Sequence, residues 1–231
     1  MPLLKWKIVI NLIRIANLAC RTFFGRLFNM DTSIFDPNQQ EHDVSSKIVT
    51  GLERISEVFK TLLWEKAKLV GLSPIQIQIL IFIAYHKPEL CNVSHLAKEF
   101  NVTKPTVSDA VKVLDKKEML VKDYSSADSR SYTIHLSSQG EEIVSQVKDF
   151  ANPLKKQLGS FEATNLEGIF KSLSELIYKL NRNGILTVQR TCFGCKFYQK
   201  NNNASYCNLL EKKLMDKDIR LDCLEFEERL N

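Results

Sequence analysis

Four cysteines near the end of the chain, Cys192, Cys195, Cys207 and Cys223, are spaced C-x2-C-x11-C-x15-C. A two-residue gap lets two thiolates face one ion while the backbone between them donates N–H bonds to sulfur. The segment is polar, with QKNNNAS between the second and third cysteine. It is too poor in apolar residues to fold on a core of its own, and a metal centre would hold its ends together. Four thiolates suit either zinc or an iron–sulfur cluster. One close pair plus two isolated cysteines is compatible with both, and the two alternatives stand side by side. Zinc would be a structural knot, whereas a cluster would let the protein sense redox state. Phe193, Phe197, Tyr198, Tyr206 and Phe226 are expected to shield the centre. An all-cysteine shell leaves no open coordination position, which argues against the alternative of a metal-dependent redox enzyme. His42, His86, His95 and His135 fall in no metal or nucleophile motif, so no catalytic residue is assigned. No βαβ pattern surrounds Cys192 and Cys195 to support a thioredoxin-type pair. Six cysteines in this length are too few and too clustered for a secreted disulfide scaffold, and a reducing, cytoplasmic location is expected. Cys91, a lone thiol at a loop-to-helix junction, reads as a core residue and not as a peroxide sensor.

A second chemistry lies in TKPTVSDAVKVLDKKEML, residues 103–120. Val107, Ala110, Val111 and Leu114 recur at i, i+3, i+4 and i+7, the stripe of an amphipathic helix, with Thr103 as its cap and Pro105 in its first turn. The stripe leaves Lys104, Thr106, Ser108, Asp109 and Lys112 on the open side. Short hydroxyls and lysines at a helix N-terminus suit phosphates and base edges in a DNA major groove. Asp109 either accepts from a cytosine amino group or orients Lys104 or Lys112. A solvated helix of mixed charge would look the same, so the neighbouring elements decide.

Upstream, NVSHLAKEF is a short helix with Ser94 as the expected cap and Leu96, Ala97 and Phe100 facing inward, joined to the second helix by Asn101-Val102. That pairing is the sequence form of a helix-turn-helix. Downstream, residues 120–124 and 132–136 alternate apolar and polar on either side of SSADSRS, a hairpin. Arg130 in its loop is placed to enter a minor groove, with Asp128 orienting it or the turn. Ser138 and Glu141 form a capping box for the next helix. Before these elements, Ile48, Leu52, Ile55, Phe59, Leu62 and Leu63 mark one long helix from Asp43 to about Val70, stopped by Gly71. LSPIQIQILIFIAYH follows as a central helix started by Ser73, Pro74 and Gln76. After them, Pro153 divides a helix, and Thr164 to Glu167 cap a last one with a heptad-like stripe from Leu166 to Leu180.

Residues 92–140 resemble the DNA-binding core of the MarR family of bacterial regulators. The likeness is carried by Leu96-Ala97, by KPTVS at 104–108, by Asp128, Arg130 and Ser131 at the wing tip, and by the phrase from Leu136 to Gly140. It extends over residues 43–184 and covers neither residues 1–30 nor the tail from 190. The resemblance implies a mainly α fold, a winged helix-turn-helix in the order α-α-α-α-β-β-α-α. It also implies a homodimer interlocked through the first and last helices, bound to a pseudo-palindromic operator in double-stranded DNA. Thr103, Lys104, Thr106, Ser108, Asp109, Lys112, Asp128 and Arg130 would then contact DNA, and a small-molecule or redox effector is a further partner class. Three domains are expected: 1–30, 43–184 with its core at 92–140, and a metal-binding tail at 190–231.

Composition refines this reading. The formal charge of +5 resides in residues 1–29, where Lys5, Lys7, Arg14, Arg21 and Arg26 meet no acid; in the remainder, 27 acids balance as many bases. A DNA-binding surface must therefore come from arrangement, with modest non-specific affinity. The leader reads as a basic amphipathic helix, or else translation begins at Met30, and membrane contact through it is not expected.

Overall fold

The computed structural model describes residues 33–125, 132–201 and 204–229. The leader at 1–30 and the wing residues Asp128, Arg130 and Ser131 lie outside the described residues. The chain divides into two compact units, residues 1–58 and 59–231. In the first, helix α1 (Pro37–Gln40) precedes the start of α2 (Val44–Val70). Asp43 caps α2. Its carboxylate accepts from the hydroxyls of Ser45 and Ser46 at 2.6 and 2.5 Å and from their N–H groups at 3.0 Å. Those bonds hold the carboxyl well below the usual carboxylate range. The helix ends as expected at Gly71, whose φ of +64° is the left-handed stop that glycine accepts without strain.

The second unit continues with α3 (Pro74–Tyr85), α4 (Val93–Glu99), α5 (Lys104–Lys116), strands β1 (Leu120–Asp123) and β2 (Thr133–Leu136), then α6 (Ser138–Val147), α7 (Asn152–Leu158) and α8 (Ala163–Arg182). This is the mainly helical winged fold expected. The hairpin is antiparallel, in register from Leu120↔Leu136 to Asp123↔Thr133. Ile134 also donates its N–H to the Cys91 carbonyl at 2.8 Å, tying the lead-in of α4 to the wing. One core joins α3, α4, α5, the hairpin and α6: Ile77, Ile79, Leu80, Leu96, Val107, Val111, Leu114, Ile134 and Val147 are fully buried. Each large aliphatic so placed stabilises the fold by roughly 1.5–3 kcal/mol. Helix α3 buries residues around most of its circumference, as a central helix must. Gln76 starts it by accepting from the Ser73 N–H at 2.8 Å.

Three caps differ from expectation, each by a small shift. Helix α4 is capped by Asn92, whose Oδ1 accepts from His95 N at 2.9 Å, so Ser94 lies inside the first turn. Asn caps as well as Ser, and the residue with extended backbone wins. Helix α6 is capped by Ser137, whose Oγ accepts from Gly140 N at 3.1 Å and donates to the Glu118 carbonyl at 2.5 Å. That second bond anchors Ser137 to the base of the wing and displaces the box expected of Ser138 and Glu141. Helix α8 starts at Ala163, which makes Thr164 already helical, and Glu162 supplies no side-chain cap. Pro153 sits in the first turn of α7 and separates it from α6 as expected.

The tail forms an antiparallel sheet that its sequence did not announce: β3 (Tyr198–Asn201), β4 (Ala204–Cys207) and β5 (Lys212–Leu214) in that order. Its core is small. Cys195, Tyr198 and Ile219 are buried, packed against Phe170 of α8 and against Phe193, Phe197 and Phe226. Among the described residues, no single helix is long and apolar enough to cross a membrane.

Candidate nucleic-acid interface and cysteine cluster

Helix α5 buries Val107, Ala110, Val111 and Leu114 and turns its other side outward. Thr103, Lys104, Thr106, Asp109 and Lys112 are exposed, while Ser108 is half-buried, less open than its spacing suggested. Thr103 Oγ1 accepts from Thr106 N at 3.3 Å and lies 2.8 Å from Thr106 Oγ1, so the cap hydroxyl is engaged within the helix. Asp109 Oδ1 accepts from Lys112 Nζ at 2.9 Å. Lys104 at the helix start and the Lys112 ammonium two turns on thus share one exposed face with the positive end of the helix dipole. Asn101, at φ +51°, makes the sharp turn that sets α4 against α5. On the wing side Lys122 Nζ donates to Asp115 Oδ2 at 2.5 Å, which ties β1 to the C-terminal half of α5. That bond raises the lysine pKa.

Cys91 is buried, with its thiol directed at the Lys87 carbonyl 3.4 Å away. Burial, aided by the charge of Glu89, pushes it up to about 11. It is a core residue.

The four tail cysteines converge on one cavity of about 300 Å³, whose walls also include Phe197, Tyr198 and Ile219. Cys192 and Cys195 bracket a single 3-10 turn (Cys192–Gly194) closed by Cys195 N donating to Cys192 O at 3.0 Å. Cys207 ends β4, and Cys223 arrives from the last segment. The Arg220 N–H points at Cys192 Sγ from 3.2 Å, and Arg220 Nη1 lies 3.7 Å from Cys223 Sγ. N–H groups aimed at sulfur stabilise thiolate. Burial pushes the Cys192 thiol up, the Arg220 N–H acts against it, and the other three thiols add to the rise. Among the described residues, no three His, Cys, Asp or Glu side chains are grouped closely enough to hold a metal ion. The thiols ring the cavity without meeting at a point. Of the shielding aromatics, Phe193 packs edge-on against Tyr198 at 5.6 Å and lies 5.8 Å from Tyr178 of α8.

A third arrangement escaped the sequence. Arg190 is almost enclosed, its side chain 10% exposed, and grips two carboxylates. Nη1 and Nη2 donate to Glu99 at 2.8 and 3.0 Å, and Nε and Nη2 donate to Asp222 at 2.5 and 3.1 Å. The guanidinium lies over the Phe82 ring, 5.5 Å from its centroid. His86 stacks on the same ring at 3.8 Å, with Nε2 2.8 Å from Asp222 Oδ2. Burial raises the Glu99 pKa, but the His95 ring 3.6 Å away and the bonds from Arg190 outweigh it and hold the carboxyl at about 2. The partners are 91 and 32 residues from Arg190 in sequence, so no local pattern could disclose the cluster.

Residues 70–131 match the model of the MarR family. The comparison with curated proteins returns no match. Among solved structures, the S. aureus MepR–DNA complex is 20% identical, covering 57% of this chain and 97% of that one at a TM-score of 0.51. S. aureus MepR in its DNA-binding conformation is also 20% identical, covering 58% and 98%, with a TM-score of 0.51. A MarR/EmrR family transcriptional regulator from Acinetobacter sp. ADP1 is 22% identical, covering 61% and 99%, with a TM-score of 0.50. At such identities the structural likeness establishes the fold. The chain carries a MarR-family domain at residues 70–131, set in a winged-helix fold.

Proposed function

We propose that the protein is a sequence-specific, double-stranded-DNA-binding transcriptional regulator of the MarR type, acting as a homodimer and not as an enzyme. The observation that carries this reading is the exposed face of α5, with Thr103, Lys104, Thr106 and Lys112 beside a wing hairpin on a MarR-family scaffold. A solved relative of the same fold is a DNA complex, which supports the reading. Lys104 and the positive N-terminal end of α5 bind phosphate, Thr106 and Ser108 face base edges, and Asp109 aligns Lys112. Arg130 is assigned to a minor groove, and Asp128 to orienting it or the wing turn.

Dimerisation is supported by apolar surface that the described residues of one chain leave open. Helix α2 exposes Ile48, Ile55, Phe59 and Trp64, and α8 exposes Ile169 and Leu176. Covering such surface with a second copy would set two α5 helices against two half-sites. The reading extends to the tail, where four thiols around one cavity form a thiolate site for zinc or an iron–sulfur cluster.

The test is selection of bound sequences from a random duplex pool, then titration of the winner. The dimer binds an inverted repeat, and Lys104→Ala with Thr106→Ala and Arg130→Ala loses specific affinity while staying folded. Unchanged binding by that variant refutes the assignment.

A further inference from the structure

We propose that loading of the four-thiol centre is transmitted to the helix-turn-helix through the Arg190–Asp222 pair docked on Glu99 and His86; this rests on the reading of the tail as a thiolate metal site. The centre is one thiophilic group, a zinc ion or an iron–sulfur cluster.

Two of the four thiols and the ion pair share one piece of backbone. Arg190 precedes Cys192 by two residues and Asp222 directly precedes Cys223, and the two strands meet in a parallel bridge at Arg190↔Asp222. Cys223 N donates to Arg190 O at 3.2 Å, and Cys192 N donates to Arg220 O at 3.1 Å. Whatever fixes Cys192 and Cys223 against one another therefore fixes Arg190 and Asp222. The tail has little else to do this with, because among the described residues its buried apolar core is Cys195, Tyr198 and Ile219. Ligation by four deprotonated thiols supplies the missing folding free energy and releases their protons to solvent.

The other end of the link is the turn that aims α5. Glu99 is the last residue of α4, followed by Asn101 in its left-handed turn and by the Thr103 cap. Arg190 holds the Glu99 carboxylate with two bonds, and Thr187 Oγ1 donates to the neighbouring Lys98 carbonyl at 2.7 Å. The C-terminal end of α4, already closed by the N–H groups of Phe100, Asn101 and Val102 on the carbonyls of Leu96, Lys98 and Ala97, is thus also tied to the segment leading into the cysteines. Asp222 holds His86 just past the end of α3 in the same way. An arginine only 10% exposed that loses this geometry is left buried without its carboxylates, which favours the closed form of the link.

The experiment uses the full chain, stripped by chelator without oxygen and reloaded with zinc chloride alone or with ferrous iron and sulfide. Metal and sulfide content, visible absorption and amide exchange over residues 93–100 are read together. The expected result is one centre per chain from one of the two reloadings, with exchange at 93–100 slowed roughly tenfold. Cys223→Ser takes up no centre and exchanges like the stripped wild type. Glu99→Gln takes up the centre normally, yet its exchange no longer responds to loading, and Asp222→Asn, which cuts the link from the tail side, behaves likewise. Uptake of neither group, equal exchange in loaded and stripped wild type, or a wild-type response in both link variants overturns the proposal. DNA affinity is measured on the same samples and is expected to change with loading in the wild type only. Absence of DNA binding in every state would instead refute the function proposed above and leave the exchange result standing.

Discussion

Gly140 is the residue where one methyl group tests the packing of the wing against α6. A Cβ built there would lie 2.1 Å from the Met119 carbonyl oxygen, 3.2 Å from its carbon and 3.3 Å from Leu136 Cδ2. Carbon and oxygen in favourable contact sit about 3.3–3.6 Å apart, so α6 must withdraw by roughly 1 Å. The oxygen in question belongs to backbone and cannot swing aside. It also accepts from Ser137 N at 3.1 Å, while Ser137 Oγ caps Gly140 N and donates to Glu118 O. Overpacking of this kind costs about 1–3 kcal/mol. Stretching the Ser137 bonds adds about 1 kcal/mol, and the better helix propensity of alanine returns at most about 1 kcal/mol. The net loss for Gly140→Ala is therefore about 2 kcal/mol. For a chain of this size that lowers the melting temperature by about 4–8 °C. Circular dichroism melts and urea titrations of both proteins measure it. A melting temperature unchanged or raised would show that the close approach of α6 to the wing base is wrong, and with it the reason for glycine in the phrase from Leu136 to Gly140.

Three other outcomes follow from the same coordinates. Leu80→Ala, at a fully buried position of α3, destabilises by about 2–5 kcal/mol, and its urea midpoint falls with little change in slope. Cys91, whose thiol burial pushes up to about 11, stays a neutral thiol at pH 8; it resists iodoacetamide there in the folded protein and reacts once urea unfolds it, so rapid native labelling would contradict its burial. Lys112→Ala removes an exposed pair with Asp109 and shifts stability by less than about 0.5 kcal/mol. If Lys112 meets phosphate, the same change lowers the salt slope of DNA affinity by about 1, whereas an unchanged slope places the ammonium away from the backbone.

How far the sequence carried the reading depended on range. The stripe of Val107, Ala110, Val111 and Leu114, the stops at Gly71 and Pro153 and the Thr103 cap are local signals, and the structure realises all of them. The Asn92 and Ser137 caps were each missed by one or two residues because several neighbouring side chains can accept the same N–H. Tertiary bonds choose between them, as the Ser137 bond to Glu118 does. The exposed end of α5 was legible for the same reason as its stripe, except at Ser108, which neighbouring elements half cover.

The tail shows where that reasoning ends. Cysteine spacing raised the expectation of a thiolate centre, but spacing along a chain is silent about how four thiols from a 3-10 turn, a strand end and a terminal segment come to share one cavity. The structure brings them there with a parallel bridge between residues 190 and 222, which no periodicity encodes. The same bridge explains why Arg190 and Asp222 face the helix-turn-helix at all: a segment tied to α4 at Glu99 and to the end of α3 at His86 can close the cysteine ring only in one register. Ring and clamp are two consequences of one backbone pairing. A change that opens the ring, Cys223→Ser, must therefore be felt at the clamp, in proportion to how far that pairing depends on it.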